Sequence, residues 1–179
     1  MVDARWPDNE QLRSRRLLLE PLRQDHADEA FPLLDDPRLN TFTGGAPDTR
    51  GQLAARFARQ VVGSSPDGRH GWLNWMLRHR DGGPLLGTVQ ATLARVEEPL
   101  VRNTETLEAE LAWVIGHDHQ GNGYATEASA AVLAWLTTRG VRRVTAHIHP
   151  DHHASAAVAH RLGLRPTDRV VDGELLWTT

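Results

Sequence analysis

The chain has 179 residues, 40% of them hydrophobic and 24% charged, which is typical of one compact soluble domain spanning 1–179. Its 20 basic and 23 acidic residues give a formal charge of -3, so no summed positive field favours nucleic acid as a partner. The absence of cysteine excludes disulfides, thiolate zinc sites and a cysteine nucleophile. Because no apolar leader and no run of about 18 apolar residues is present, we expect a cytoplasmic protein without a membrane partner.

Hydrophobic periodicity and turn residues predict an alternation of strands and helices. In chain order we expect a flexible segment over 1–13, a strand over 16–22, helices over 24–34 and 49–62, strands over 71–80, 84–96 and 106–115, a helix over 123–139, a strand over 141–149, a helix over 154–162 and two short strands split by Asp172 and Gly173. Strands 71–80 and 84–96 flank Asp81, Gly82 and Gly83, which predicts an antiparallel hairpin. The result is a mixed α/β (α+β) domain.

The turn between strand 106–115 and helix 123–139 is rich in glycine, since residues 120–125 are Gln-Gly-Asn-Gly-Tyr-Ala. Two glycines allow a tight turn in which successive backbone N–H groups point at one spot, and the helix N-terminus adds partial positive charge there. Such a turn can hold a pyrophosphate, although it lacks the lysine of a P-loop and the spacing of a Rossmann turn. The alternative is a flexible turn without a ligand.

Residues 120–125 match Q-x-x-G-x-G/A, the pattern after the fourth strand in the GNAT superfamily of acyl-CoA-dependent N-acyltransferases. Residues 14–22, 110–115 (ELAWVI), 121–128 (GNGYATEA) and 149–164 (HPDHHASAAVAHRLGL) resemble, in order and spacing, segments of the branch that contains the ribosomal-protein acetyltransferases RimJ and RimL. The resemblance covers nearly the whole chain. It implies the GNAT fold: a single mixed, mostly antiparallel twisted sheet, flanked by helices, with a splayed central strand pair.

The resemblance also implies acetyl-CoA as cosubstrate and the residues that bind it. The backbone of Trp113, Val114 and Ile115 would pair with the pantetheine arm, while the Trp113 ring can pack in the core at the same time. The Thr126 hydroxyl and a run of backbone amides would hold the pyrophosphate. Those amides belong to Gln120, Gly121, Asn122, Gly123, Tyr124 and Ala125.

Three positions of the last helix region bear on catalysis. Ser155 matches the serine of the RimJ/RimL branch whose hydroxyl is proposed to reach the thioester sulfur; the alternative is a serine that caps the helix or sits in its first turn. His152 stands where the family commonly has an asparagine that contacts the cofactor, and an imidazole lacks the paired donor and acceptor of an amide. Ala159 stands where many GNAT enzymes outside this branch place a tyrosine as general acid.

Acyl transfer to an amine requires the neutral amine, whereas α-amino groups titrate near roughly 8 and lysine amines near roughly 10.4. Some group must therefore accept a proton. Glu108, Glu110, Ala112 and Val114 alternate onto one face of strand 106–115, and Glu110 is the acidic residue nearest its centre. We take Glu110 as the candidate base, the alternative being an ion-paired or solvent-facing glutamate, and a strand N–H such as that of Val114 as the oxyanion donor.

Histidines and tryptophans raise two further questions, whether the chain binds a metal and which residues line the acceptor cleft. His147 and His149 share one face of strand 141–149, and more histidines follow, but no HExxH spacing occurs, so we expect no metal. Trp72 and Trp75 would lie on opposite faces of strand 71–80. At most one of them can therefore line an acceptor cleft.

We therefore expect a GNAT-type N-acetyltransferase that moves an acetyl group to a primary amine, on a peptide N-terminus or a small molecule, in a ternary complex. The loop at residues 40–45 and helix 49–62 would shape the acceptor pocket, but their composition does not specify the amine. The alternative, favoured by His152 and Ala159, is a non-catalytic module of the same fold that binds CoA or a protein. The sequence does not determine the oligomeric state, and a homodimer is one alternative.

Overall fold

One eight-stranded sheet forms the centre of the computed structural model, which describes residues 6–97 and 105–179. The strands are β1 (Leu12–Arg13), β2 (Leu17–Pro21), β3 (His70–His79), β4 (Leu85–Glu97), β5 (Glu105–Ile115), β6 (Val141–Ile148), β7 (Arg165–Val171) and β8 (Glu174–Thr178). The α-helices are α1 (His26–Leu34), α2 (Arg50–Gln60), α3 (Tyr124–Thr138) and α4 (His153–Arg161), and Pro37–Asn40 and His117–His119 form 3-10 turns. The predicted order of strands and α-helices is confirmed from β2 onward, whereas β1 is an additional strand.

The sheet has the order β1-β2-β3-β4-β5-β6-β8-β7 and is antiparallel except between β5 and β6. The parallel pairing begins at Leu107 with Val141 and ends at Glu110 with Thr145. Beyond this point β5 continues to Ile115 while β6 runs to Ile148 without pairing to it. The predicted mixed sheet with a splayed central pair is therefore confirmed, and the gap opens beside the second half of β5.

The helices cover the two faces of the sheet. Helix α3 buries Ala128, Val132 and Leu136 against one face, in the cluster that contains the fully buried Trp75. Helices α1 and α2 lie on the opposite face, where their apolar side chains pack against Met76. None of the described helices is long and apolar enough to span a membrane.

The N-terminal residues that the structure describes are packed, in contrast to the flexible segment predicted for 1–13. β1 pairs with β2, the indole N–H of Trp75 donates to the Glu10 carbonyl at 2.7 Å, and the Trp6 ring lies against Gly71. A Cβ at Gly71 would come within 2.6 Å of that ring. Sequence periodicity missed these contacts because β1 has only two residues. Residues 1–5 lie outside the described residues.

Candidate active site

The glycine turn before α3 has the geometry of an anion-binding turn. Gly121 and Gly123 have φ angles of +76° and +77°, in the left-handed region that favours glycine, and Gly123 is the N-cap of α3. A Cβ at Gly121 would meet no atom within 4 Å, so the space in front of the turn is open. The turn thus presents the N-terminus of a 15-residue helix to an open surface.

Six successive backbone N–H groups, from residue 121 to residue 126, donate no hydrogen bond to any part of the chain that the structure describes. Unpaired amides at a helix N-terminus are the donors that bind phosphate groups. Gln120 differs from them, because its amide donates to the His117 carbonyl at 3.2 Å and its side chain to the Ile115 carbonyl at 3.0 Å. Gln120 therefore ties the turn to the end of β5 instead of adding a free amide.

Arg16 and Glu127 fasten β2 to the start of α3. The Glu127 carboxylate accepts hydrogen bonds from the Ser14 hydroxyl at 2.7 Å, the Arg16 amide at 2.7 Å and the Arg16 Nε at 2.6 Å. Burial tends to raise the pKa of Glu127, but these hydrogen bonds and the Arg16 charge together hold that pKa below its ordinary value. The guanidinium also donates to the Asn122 carbonyl at 2.9 Å, so the Arg16–Glu127 ion pair is tied directly to the turn.

The second half of β5 presents alternate main-chain groups to the gap between β5 and β6. The Gly116 amide donates to the Leu86 carbonyl of β4, and with the antiparallel register this points the main-chain groups of Val114 toward β4. Those of Trp113 and Ile115 then face the gap. The Val114 N–H predicted as an oxyanion donor is thus directed into the sheet, because its register places it opposite Thr88.

Glu110 has an imidazole partner that the sequence did not assign to it. Its Oε1 lies 3.1 Å from Nδ1 of His147, and the Glu110 side chain keeps 51% of its surface exposed. The parallel register pairs Glu110 with Thr145, which brings the residue two further along β6 beside the carboxylate. Glu108, by contrast, forms an ion pair with the guanidinium of Arg143. Glu110 is therefore the accessible carboxylate of the two, and it is paired with an imidazole.

His152 caps α4, so the capping role considered for Ser155 is filled by another residue. The Ser155 amide donates to Nδ1 of His152 at 3.5 Å, while the Ser155 hydroxyl makes no hydrogen bond within residues 6–97 and 105–179. Burial, and then the charge of His149, lower the pKa of the His152 imidazole. Its ring stacks on Phe42, from the loop after Pro37–Asn40, with centroids 4.3 Å apart.

Replacing His152 with alanine should remove this cap and lower the free energy of unfolding by about 1 kcal/mol, whereas His152→Asn should keep most of it, since an amide oxygen can accept the same hydrogen bond. Urea unfolding at pH 8 would measure both variants. An alanine variant as stable as the wild type would show that Nδ1 contributes no cap.

The depressed pKa of His152 also predicts a pH dependence. The unfolded chain binds the proton more readily than the folded one, so stability is complete above about pH 6.5 and is lost as pH falls below that value. Burial lowers the pKa of His26 as well, which adds to the loss. The free energy of unfolding of His152→Asn should therefore fall less between pH 7 and pH 5 than that of the wild type. Equal losses would contradict the assignment.

A polar cavity of about 250 Å³ lies between α2 and strands β3 and β4. It is lined by Arg56, Arg59, Gln60, Trp72, Asn74, Gln90, Ala91 and Thr92. Trp72 pairs with Thr92, and Thr92 with Glu110, so one row of side chains crosses from the cavity to the candidate base. Trp75 packs in the core on the other face, which confirms that only one of the two tryptophans reaches a cleft.

The histidines do not converge into a ligand set. Among the described residues, no group of three or more His, Asp or Glu side chains is placed to hold a metal ion. His147 faces Glu110, His149 lies 4.0 Å from Asp151, and His152 caps α4.

Comparison with known proteins shows the family and supports the fold. Residues 16–165 match the family model of the acetyltransferase (GNAT) domain. A Bordetella pertussis protein assigned to the GNAT-family acetyltransferases is 28% identical, over 95% of this chain and 99% of that one, with a TM-score of 0.67. An Agrobacterium tumefaciens acetyltransferase is 25% identical, over 99% and 98% of the two chains, with a TM-score of 0.69. RimL, a ribosomal-protein α-N-acetyltransferase in complex with coenzyme A, shares the fold at 15% identity, over 95% and 97% of the chains, with a TM-score of 0.69.

Proposed function

The chain belongs to the GNAT acetyltransferase family, and on that premise we propose that it transfers an acetyl group from acetyl-CoA directly to a primary amine within a ternary complex. The observation that carries the proposal is the run of unpaired amides from 121 to 126, which ends at the start of α3. These amides suit a pyrophosphate. The main-chain groups of Trp113 and the N–H of Ile115, which face the gap, suit the amides of a pantetheine arm.

Acetyl-CoA would supply an activated thioester, and the chain's own residues would supply the proton transfers. Glu110 and His147 accept the proton that the attacking amine must lose, and the exposed half of the carboxylate is open to solvent. A carboxylate that accepts a hydrogen bond from an imidazole fixes the orientation of that ring. The pair thus couples the amine to solvent through two adjacent groups.

Ser155 is the proposed donor to the departing sulfur. Its hydroxyl has no hydrogen-bond partner among the described residues, and its side chain is half-buried in the first turn of α4. Because His152 already caps the helix, the hydroxyl is free for this task. A hydroxyl that donates to a developing thiolate stabilises charge that appears only in the transition state.

The Ser155→Ala variant should lower kcat by about 10-fold to 100-fold, the range expected for a lost hydrogen bond to a charged group, while leaving the Kd of acetyl-CoA nearly unchanged. Its free energy of unfolding should stay within about 0.5 kcal/mol of the wild type. Single-turnover kinetics with saturating acetyl-CoA would measure the chemical step. A wild-type rate would remove Ser155 from the active site.

The acceptor is a primary amine on a peptide N-terminus or on a small molecule. RimL-like neighbours that act on ribosomal-protein N-termini support the first class, and the small volume of the cavity beside Trp72 supports the second. The buried Ala159, which leaves no tyrosine at that position, favours the alternative of a non-catalytic CoA-binding module.

Acetyl-CoA consumption across a panel of amines and peptide N-termini would test the proposal, with the acetylated product identified by mass spectrometry. We expect amine-dependent release of CoA and one molecule of N-acetyl product per CoA. Binding of acetyl-CoA without turnover of any amine would instead support the non-catalytic module.

A further inference from the structure

We propose that the cavity between α2 and strands β3 and β4 binds the acceptor, and that this acceptor is a small amine that also carries a carboxylate, held by Arg59. The inference rests on the proposed acetyl transfer, because Glu110 would receive the amine end. Four independent features of the cavity support it: an amide in its wall and a cation beside it, both without a partner among the described residues, the row of side chains that leads to Glu110, and the cavity's size.

The first feature is Asn74, which is only 6% exposed and lines the cavity. Its main-chain carbonyl accepts hydrogen bonds, but its side-chain amide makes none with any part of the chain that the structure describes. Because this carboxamide lines the cavity and has no protein partner within the described part of the chain, its oxygen and NH₂ group can both hydrogen-bond a polar ligand atom. Next to it, Gln90 uses its Oε1 to accept from Gln60 at 3.3 Å and keeps its own NH₂ group.

The second feature is the difference between the two arginines of the cavity. Arg56 lies with its Nε 2.9 Å from the Asp48 carboxylate, which neutralises it. Arg59, one helical turn further along α2, has no carboxylate partner within residues 6–97 and 105–179. A guanidinium presents a planar fork of donors that matches a carboxylate, so the ligand group expected at Arg59 is an anion.

The third feature is the row of neighbouring side chains from Trp72 through Thr92 to Glu110, which has an arginine near one end and a carboxylate at the other. Neighbouring strands lie about 4.8 Å apart, so the row spans about 10 Å from β3 to β5. Arg59 lines the cavity together with Trp72 and Thr92, whereas Glu110 stands at the β5 end of the row, next to Thr92. A molecule with a carboxylate at one end and an amine at the other would be oriented with its amine at Glu110.

The size of the cavity limits the acceptor. Its volume of about 250 Å³ is below the roughly 300–1,000 Å³ typical of sites for drug-sized ligands. It therefore suits a molecule the size of an amino acid, or the first side chains of a peptide. The Trp72 ring adds an apolar wall for the carbon chain between the two charged ends.

Matched pairs of acceptors test the charge requirement. The free-molecule pair is 4-aminobutyrate and its amide, and the peptide pair is alanyl-glutamyl amide and alanyl-glutaminyl amide, with rates corrected for the fraction of neutral amine. We expect kcat/KM for the carboxylate member to exceed that for the amide by at least about 10-fold in the preferred pair. The pair with the larger ratio identifies the source of the acceptor.

Substitutions at Arg59 test whether the cavity causes the difference in kcat/KM between the carboxylate and the amide. Arg59→Gln should bring the ratio close to one, and Arg59→Glu should invert it. Arg50→Gln is the matched control, because Arg50 lies on the same helix but pairs with Asp28 away from the cavity, and it should keep the wild-type ratio. If the wild type acetylates both members of each pair with a kcat/KM ratio near one, or if the Arg59 substitutions leave that ratio unchanged, the inference is wrong. The proposed acetyl transfer would be unaffected by either result.

Failure of the proposed function is distinguishable from failure of the inference. If no amine is acetylated, calorimetric titration of 4-aminobutyrate and its amide into the CoA-loaded protein decides the matter. If 4-aminobutyrate binds the wild type more tightly than its amide does, and Arg59→Gln abolishes this difference, the binding site is confirmed although the proposed transfer reaction is wrong. Equal binding of both compounds to the wild type, or an Arg59→Gln variant that binds like it, would overturn the site.

Discussion

Replacing Glu110 with glutamine should lower the rate of acetyl transfer at pH 7 by about 10²-fold or more, the range in which general-base catalysis contributes. Glutamine keeps the shape and a hydrogen-bond acceptor for His147 but cannot take the proton of the amine. As pH approaches the pKa of the amine itself, more of it is already neutral, so the rate should partly recover. A pH–rate profile of kcat/KM for both proteins would measure the effect, and the Kd of acetyl-CoA should be unchanged.

Two neighbouring substitutions give the matched controls for Glu110. Glu108 lies on the same strand but is held by Arg143, so Glu108→Gln should retain most of the activity. His147→Gln should reduce the rate and shift the acid limb of the profile, because Glu110 then loses its imidazole partner. A Glu110→Gln enzyme with the wild-type rate and pH–rate profile would contradict the assignment. A large loss of rate in Glu108→Gln alone would identify Glu108 as the base instead.

Replacing Gly121 with glutamate should weaken acetyl-CoA binding by at least about 100-fold. The new carboxylate would stand at the six unpaired amides, where it competes for them and repels a pyrophosphate at short range. Since nothing lies within 4 Å of a Cβ at this position, the loss would come from charge and from occupation of the turn, not from a clash with the protein. Isothermal titration calorimetry would measure the change in Kd.

Gly140→Glu is the matched control for that substitution. Gly140 follows the other end of α3, has a φ of +84° and also has open space around its Cβ. The variant therefore carries the same left-handed strain, of roughly 1–2 kcal/mol, and the same added charge. It should bind acetyl-CoA like the wild type. Equal loss of affinity in both variants would mean that strain, and not the turn, causes the effect.

The sequence predicts most of the fold because its local patterns are strong. Alternating strands around Asp81, Gly82 and Gly83 and the long helix after Gly123 depend on neighbours in the chain, and both are present. The missed elements are the ones without periodicity, such as the two-residue strand β1 and the short turn His117–His119. Their positions are set by contacts with residues far away in the chain, including Trp75 with Glu10.

The site is predicted less completely, because register decides which side chains meet. The glycine turn follows from spacing alone, whereas Arg16 reaches Glu127 across 111 positions and His147 reaches Glu110 through the short parallel pairing. The sequence shows only that His147 and His149 share a strand face, since two-residue spacing indicates a shared face and not a partner. The unpaired Asn74 becomes visible only when the strands are stacked under α2.

Calorimetric titration of acetyl-CoA into the wild-type protein tests the central claim most directly, that the turn at residues 121–126 is the binding site of this cosubstrate. We predict one site per chain, and a melting temperature that rises by roughly 5 to 10 °C at a ligand concentration of about 100 times Kd. The Gly121→Glu variant should show neither effect. Absence of heat and of any thermal shift in the wild type at millimolar acetyl-CoA or CoA would contradict the account.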